Sequence, residues 1–177
     1  MSQILNFKKN YFYYFLLFYS ICGVFLSLNV GITHDEYHNF FVGDSNKKKI
    51  LDIFFGTNYQ LKPLEGLNLH YGSGFHLLSL PIDYILNLFF NLEYVSLESK
   101  PILLKHPSVF IFFALSGIYF KKIIFFITSN KNYSSLCSVL YLTYPYLLGH
   151  SFFNIKDIPF LSVWLICTYY IIIIAKS

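Results

Sequence analysis

Three short stretches of the chain hold residue types that could do chemistry. The first is Thr33-His34-Asp35-Glu36, a carboxylate pair a few residues past a long apolar run, 11–30. A carboxylate at the mouth of a membrane, facing a partly dry cavity, can act as a general base on an acceptor hydroxyl or phosphate. The plainer reading is a solvated loop in which Thr33 or Asp35 caps a short helix. The second stretch, His150-Ser151-Phe152-Phe153-Asn154-Ile155-Lys156-Asp157, gathers His150, Asn154, Lys156 and Asp157. An ordinary polar hairpin would look the same, because turns favour Asn and Asp. The third is His70-Tyr71-Gly72-Ser73-Gly74-Phe75-His76. Its small residues let backbone approach a ligand, and His70, Tyr71 and His76 could donate to a phosphate. Against that stands a flexible lead into an amphipathic helix.

Metal chemistry is the weaker alternative. His34 and His38 are four apart and would share a helix face. The order is His-Asp-Glu-Tyr-His, however, and not the His-Glu-x-x-His of zinc proteases. Cys22, Cys137 and Cys167 lie inside apolar runs without metal-type spacing, so neither a zinc site nor a disulfide framework is expected.

The elements that must position these residues follow from composition. Of 177 residues, 55% are hydrophobic and 12% charged, about half the charge of an ordinary soluble domain. Mean hydropathy is +0.52. The expected class is an all-α, multi-pass integral membrane protein. The net charge of +4 comes entirely from lysines and does not form a nucleic-acid footprint.

Apolar runs predict about four transmembrane helices, 11–30, 104–126, 133–149 and 158–175. The first is too long for a cleavable signal peptide and no small-x-small site follows it. Residues 31–103 form an outer loop. Within it, His76, Ser79, Asp83, Asn87 and Asn91 fall on one stripe of an amphipathic juxtamembrane helix over 75–92, kinked at Pro81. That helix would lie in the interface or line a polar cavity. A helix or two is expected within 37–55, without fixed boundaries. If 75–92 does not span, Lys8, Lys9, Lys121, Lys122, Lys131 and Lys176 share one side and the acidic residues the other, as the positive-inside rule favours. Lys47, Lys48 and Lys49 lie outside in either topology.

Together these pieces resemble the N-terminal part of a GT-C membrane glycosyltransferase. The likeness is to glycosyltransferase family 39, the protein O-mannosyltransferase and lipid A aminoarabinose transferase group, and its bacterial relatives. In that family a first helix is followed at once by an Asp-Glu pair, here Asp35-Glu36. A juxtamembrane helix follows, then a helix starting with a basic residue, here Lys105. An acidic residue precedes the fourth span, here Asp157. Gly149 to Phe160 is similar to a bacterial Asn-Pro-Lys-Asp loop, with Ile155 in place of the Pro.

The resemblance implies a GT-C type N-terminal module that transfers a sugar from a polyprenyl-phosphate donor to a hydroxyl or phosphate acceptor. It implies Asp35, with Glu36, as the catalytic pair. His150, Asn154, Lys156, Asp157, His70, Tyr71, His76 and Lys105 become the substrate-binding candidates. No cofactor beyond the donor and no metal is implied. Partners would be membrane lipid, the donor and the acceptor, and no nucleic acid. The expected location is the bacterial inner membrane, active face periplasmic. Family members are several times longer, so a fragment, or a second polypeptide supplying missing helices, is also expected. The competing class is a non-catalytic membrane protein, a truncated remnant or small transporter-like subunit. A transporter should carry mid-span ionisable groups and internal repeats, and neither is evident.

Overall fold

A computed structural model describes residues 11–57, 59, 72–90, 92, 95, 96 and 98–176. His70, Tyr71 and Asn91 lie outside them. The described residues form helices and connecting turns, with no strand among them. The helices are α1 (Tyr11–Ser27), α2 (His34–Phe55), α3 (Gly74–Leu78), α4 (Leu80–Phe89), α5 (Lys100–Leu103), α6 (Lys105–Thr128), α7 (Lys131–Thr143), α8 (Pro145–Ser151) and α9 (Asp157–Lys176).

The fold is organised on α6, which packs against α1, α7 and α9. Its buried face carries Val109, Phe113 and Ala114, which meet Phe12 and Leu16 of α1, Leu142 of α7 and Ile158 of α9 in one core. Close approach of α1 and α6 depends on Gly23. A Cβ there would lie 1.9 Å from the ring of the fully buried Phe110.

Cation–π contacts fix the helix directions. Lys121 on α6 sits over Phe12 at the start of α1, 4.1 Å from the ring centroid. Lys176 at the end of α9 sits over Phe126 near the end of α6, at 4.9 Å. Lys122 lies over Tyr119 and Tyr169. Thus α1 and α7 run one way and α6 and α9 the other. Lys121, Lys122 and Lys176 therefore lie at one end of the bundle, and Asp35, Glu36 and Asp157 at the opposite end.

Two helical segments, Lys100–Thr128 and Asp157–Lys176, are long and apolar enough to cross a membrane. The second reproduces the expected 158–175, and the first extends 104–126 at both ends. The other two expected spans need correction. Among the described residues the run 11–30 is helical over 17 residues and ends at Ser27 rather than Val30, about 25 Å at ~1.5 Å per residue. The expected 133–149 is not one helix. It breaks at Tyr144, whose backbone is extended (φ −61°, ψ 118°), and resumes at Pro145. Proline disfavours the helical region for the residue before it and lacks the N–H that would continue the ladder.

The juxtamembrane helix is likewise split. It forms α3 and α4, with the turn at Ser79, two residues before Pro81. The proline sits in the first turn of the new helix, where its missing N–H costs little. The segment 37–55 is part of one 22-residue helix, α2. Thr33 opens it with a capping box, and Gly56 closes it in the left-handed region (φ 62°) that glycine adopts without steric cost.

Candidate functional site

The Asp35-Glu36 pair is divided by the geometry of the α2 N-terminus. Thr33 is the N-cap, which places Asp35 in the first turn and Glu36 at the third helical position. The Glu36 amide donates to Thr33 Oγ1 at 3.3 Å, and Glu36 Oε2 accepts from the Thr33 amide at 3.0 Å. This capping box turns the Glu36 side chain inward, and only 3% of the residue is exposed. Its Oε1 meets Nε2 of the fully buried His106, whose Nδ1 lies 3.1 Å from the Ser27 carbonyl oxygen. Asp35, one residue earlier, points away, is exposed, and has no hydrogen-bond or ion-pair partner among the described residues.

The turn between α8 and α9 reaches the same end of the bundle. Asn154 organises it. Its Oδ1 accepts from the amides of Lys156 (3.1 Å) and Asp157 (2.8 Å), and its Nδ2 donates to Asp157 Oδ2 (3.1 Å) and His150 Nδ1 (3.2 Å). Accepting at Nδ1 leaves the His150 proton on Nε2. Ile155, where the resembled loop has Pro, is 5% exposed and belongs to the main core. It anchors the turn by burial and leaves Lys156 and Asp157, which follow it, exposed.

The polar stripe of α3 and α4 faces inward. Lys105 Nζ donates to Asp83 Oδ2 and Ser79 Oγ. Ser108 Oγ donates to Asp83 Oδ1 at 2.8 Å, and Ser79 Oγ to Asp83 Oδ2 at 3.0 Å. Of the two placements open for this segment, polar positions 76, 79 and 83 line an internal polar network. Asn87 remains exposed. The opposite, apolar face is turned out, with Tyr84, Leu88 and Phe89 all more than half exposed.

His76 is 4% exposed, and its Nδ1 is buried without a hydrogen-bond partner among the described residues. Burial, then the charges of Lys105 and Lys47, push its pKa down to about 4, with Asp44 opposing. Asp44 accepts from Lys47, and Lys48 lies 2.7 Å from it. Burial pushes the Asp44 carboxyl up, but these two lysines more than offset that and hold it below its ordinary value. Lys47 and Lys48, two of the three lysines expected outside in either topology, are therefore charge-paired within α2.

Two adjoining cavities open between these elements. A polar cleft of about 800 Å³ is lined by the α2 N-terminus and the 150–157 turn, including Asp35, His38, His150, Asn154 and Asp157. Beside it a mainly apolar groove of about 510 Å³ runs between Phe75, Leu78, Phe112, Phe160 and Val163, with His76 in its wall. Asn39, Ile155, Lys156 and Asp157 line both.

Five of the expected site residues, Asp35, His150, Asn154, Lys156 and Asp157, thus meet around one cleft. Glu36 contributes to its wall while its carboxylate is held by Thr33 and His106. Lys105 lines neither cavity, because Asp83 and Ser79 engage it inside the protein. His70 and Tyr71 are outside the described residues. Sequence reasoning passed over His106. Its one signal was an imidazole in the first turn of a long apolar helix, where ionisable groups are rare and seldom idle. No group of three or more potential metal ligands gathers among the described residues. Comparison with protein-family models, with curated proteins and with solved structures finds no match to this chain.

Proposed function

We propose that this chain is the N-terminal, catalytic-face portion of a multi-pass membrane glycosyltransferase of the GT-C type, with Asp35 as general base. The observation that carries the reading is the pair of joined cavities. A carboxylate that is exposed and has no partner among the described residues stands in a polar cleft of about 800 Å³, and that cleft shares a wall with an apolar groove of about 510 Å³. A polyprenyl-phosphate sugar has the matching division, a hydrocarbon chain for the groove and a sugar phosphate for the cleft. Lys156 stands at the junction, where the phosphate would lie.

In the proposed step the acceptor oxygen attacks the anomeric carbon from the face opposite the phosphate. Asp35 takes the acceptor's proton. The bond from the anomeric carbon to the phosphate oxygen breaks, and its electron pair leaves with the polyprenyl phosphate. Lys156 offsets the charge that develops there. Inversion at the anomeric carbon follows from the single displacement. Asp157, fixed by Asn154, orients the acceptor across the cleft from Asp35.

A membrane setting is supported by which surfaces are apolar. In the most hydropathic stretch of α9 only 17% of residues are buried within the protein, whereas the core helix of a soluble protein is mostly buried. The outward face of α4 is apolar while its polar face is internal, the arrangement lipid favours. Lys121, Lys122 and Lys176 at one end of the bundle, with Asp35 and Asp157 at the other, suit a cleft on the periplasmic face of a bacterial inner membrane.

Donor binding is tested with a benzophenone-tagged polyprenyl phosphate in proteoliposomes, followed by peptide mapping. Labelling should fall on groove residues around Phe112 and Phe160 and be competed by untagged polyprenyl phosphate. Uncompeted labelling spread over all lipid-facing helices would remove the donor assignment.

A further inference from the structure

Glu36 and Asp35 are adjacent and chemically alike, yet one is buried in a bonded network and the other stands alone in the cleft. The network is completed by His106, 70 residues away in sequence. The Ser27 carbonyl can only accept, so His106 Nδ1 carries a proton and donates to it. The contact between Nε2 and Glu36 Oε1 then needs one further proton between them. Glu36 Oε2 accepts from the Thr33 amide and lies 3.4 Å from Thr33 Oγ1. The pair therefore shares one proton between Nε2 and Oε1, buried at the junction of three helices. Ser27 ends α1, Thr33 and Glu36 open α2, and His106 lies in the first turn of α6.

We propose that the hydrogen-bonded His106–Glu36 pair is a positioning device that fixes the first turn of α2 on the bundle and so aims Asp35 into the cleft. This rests on the reading of Asp35 as the general base. His106 and Glu36 touch no substrate and act through the turn that carries Asp35. Burying polar groups is unfavourable unless their hydrogen bonds are complete. Here both ring nitrogens and both carboxylate oxygens are engaged. Replacing the pair with apolar residues would keep the packing and lose the direction, because dispersion contacts do not select one orientation of a helix turn. The same pair explains why the two carboxylates divide their roles. Glu36 is committed to the capping box and to His106, which leaves Asp35 free of internal partners.

The device is tested without any transfer assay, using two spin labels and their dipolar distance. Labels are placed at His34→Cys, beside Asp35, and at Phe160→Cys, on α9 across the groove, after the native cysteines are replaced. A reference pair at Asn132→Cys and Ile173→Cys reads the opposite end of the bundle. His106→Gln can place an amide N–H near the Nε2 position, and His106→Asn, one methylene shorter, near the Nδ1 position.

The expected result is a 34–160 distance close to that of the parent in His106→Gln. In His106→Asn and Glu36→Met it should broaden and shift by several ångströms, with the reference distance unchanged. Equal broadening in His106→Gln and His106→Asn would mean that the imidazole only fills space, and would overturn the proposal. No change in any variant would overturn it as well. Should His106→Asn disturb the reference pair, Glu36→Met decides, because it removes both contacts of the carboxylate while keeping a side chain of similar length. If the distances behave as expected while no sugar transfer is found, the base reading fails and the positioning device stands.

Discussion

Lowering the pH should weaken this protein in a window set by His76. The imidazole is buried, its Nδ1 has no partner among the described residues, and Lys105 and Lys47 act on it with like charge. Its pKa is about 4 in the folded protein against an ordinary value of 6.5. A group whose folded value is depressed in this way resists protonation only while folded. Between those two values the unfolded chain takes up a proton that the folded chain refuses. The stability is therefore complete above about pH 6.5, falls as the pH drops, and levels off below about pH 4. At ~1.4 kcal/mol per pH unit the gap corresponds to about 3 kcal/mol, most of it lost by about pH 4.5. For a chain of this length that is a fall of about 5–10 °C in thermal midpoint. The Asp44 carboxyl is held below its ordinary 3.8, so its own loss falls at lower pH, outside this scan. The assay is a thermal unfolding series in detergent from about pH 7.5 to about pH 4.5 for the parent and for His76→Leu. The variant should show a much flatter pH dependence. Parallel curves for the two proteins would refute the assignment of the window to His76.

Two packing predictions follow from α6. Gly23→Ala should destabilise by about 1–3 kcal/mol, because its methyl would fall within the Phe110 ring in a filled interface; a thermal midpoint equal to that of the parent would show that α1 and α6 separate freely. Lys105→Met leaves Asp83 without its cation and should cost about 3 kcal/mol, whereas the double variant Lys105→Met with Asp83→Leu should recover most of that loss. A double variant as weak as the single would mean that the loss comes from packing and not from a stranded charge.

The sequence displays some of this arrangement and hides the rest for identifiable reasons. The stripe at 76, 79 and 83 is visible because helical periodicity survives a break at Ser79, which preserves the face while splitting the helix. Thr33 as a cap is legible because a capping box is local, four residues long. The gathering of Asp35 with Asn154 and Asp157 follows from counting helices: an even number of passes returns the chain to the same end. The break at Tyr144 was in plain view as Pro145, but apolar flanks on both sides made the run look continuous. The partner of Glu36 could not be read at all. It depends on how α1 and α6 meet, a packing outcome fixed by Gly23 and Phe110 rather than by any local pattern. Inward commitment of Lys105 escaped for the same reason, since a basic residue at a helix start looks equally suited to a ligand and to Asp83.

The most direct test of the proposed chemistry is sugar transfer by Asp35→Asn in the native membrane setting. The parent and the variant, matched for insertion and thermal midpoint, are supplied with radiolabelled polyprenyl-phosphate sugars, and label transferred from the donor is counted. Asparagine keeps the size of the side chain and cannot take the acceptor's proton. Transfer by the parent with loss of at least about a hundredfold in the variant, the lower range for a positioned general base, is the predicted result. Equal turnover by both proteins would contradict the role of Asp35.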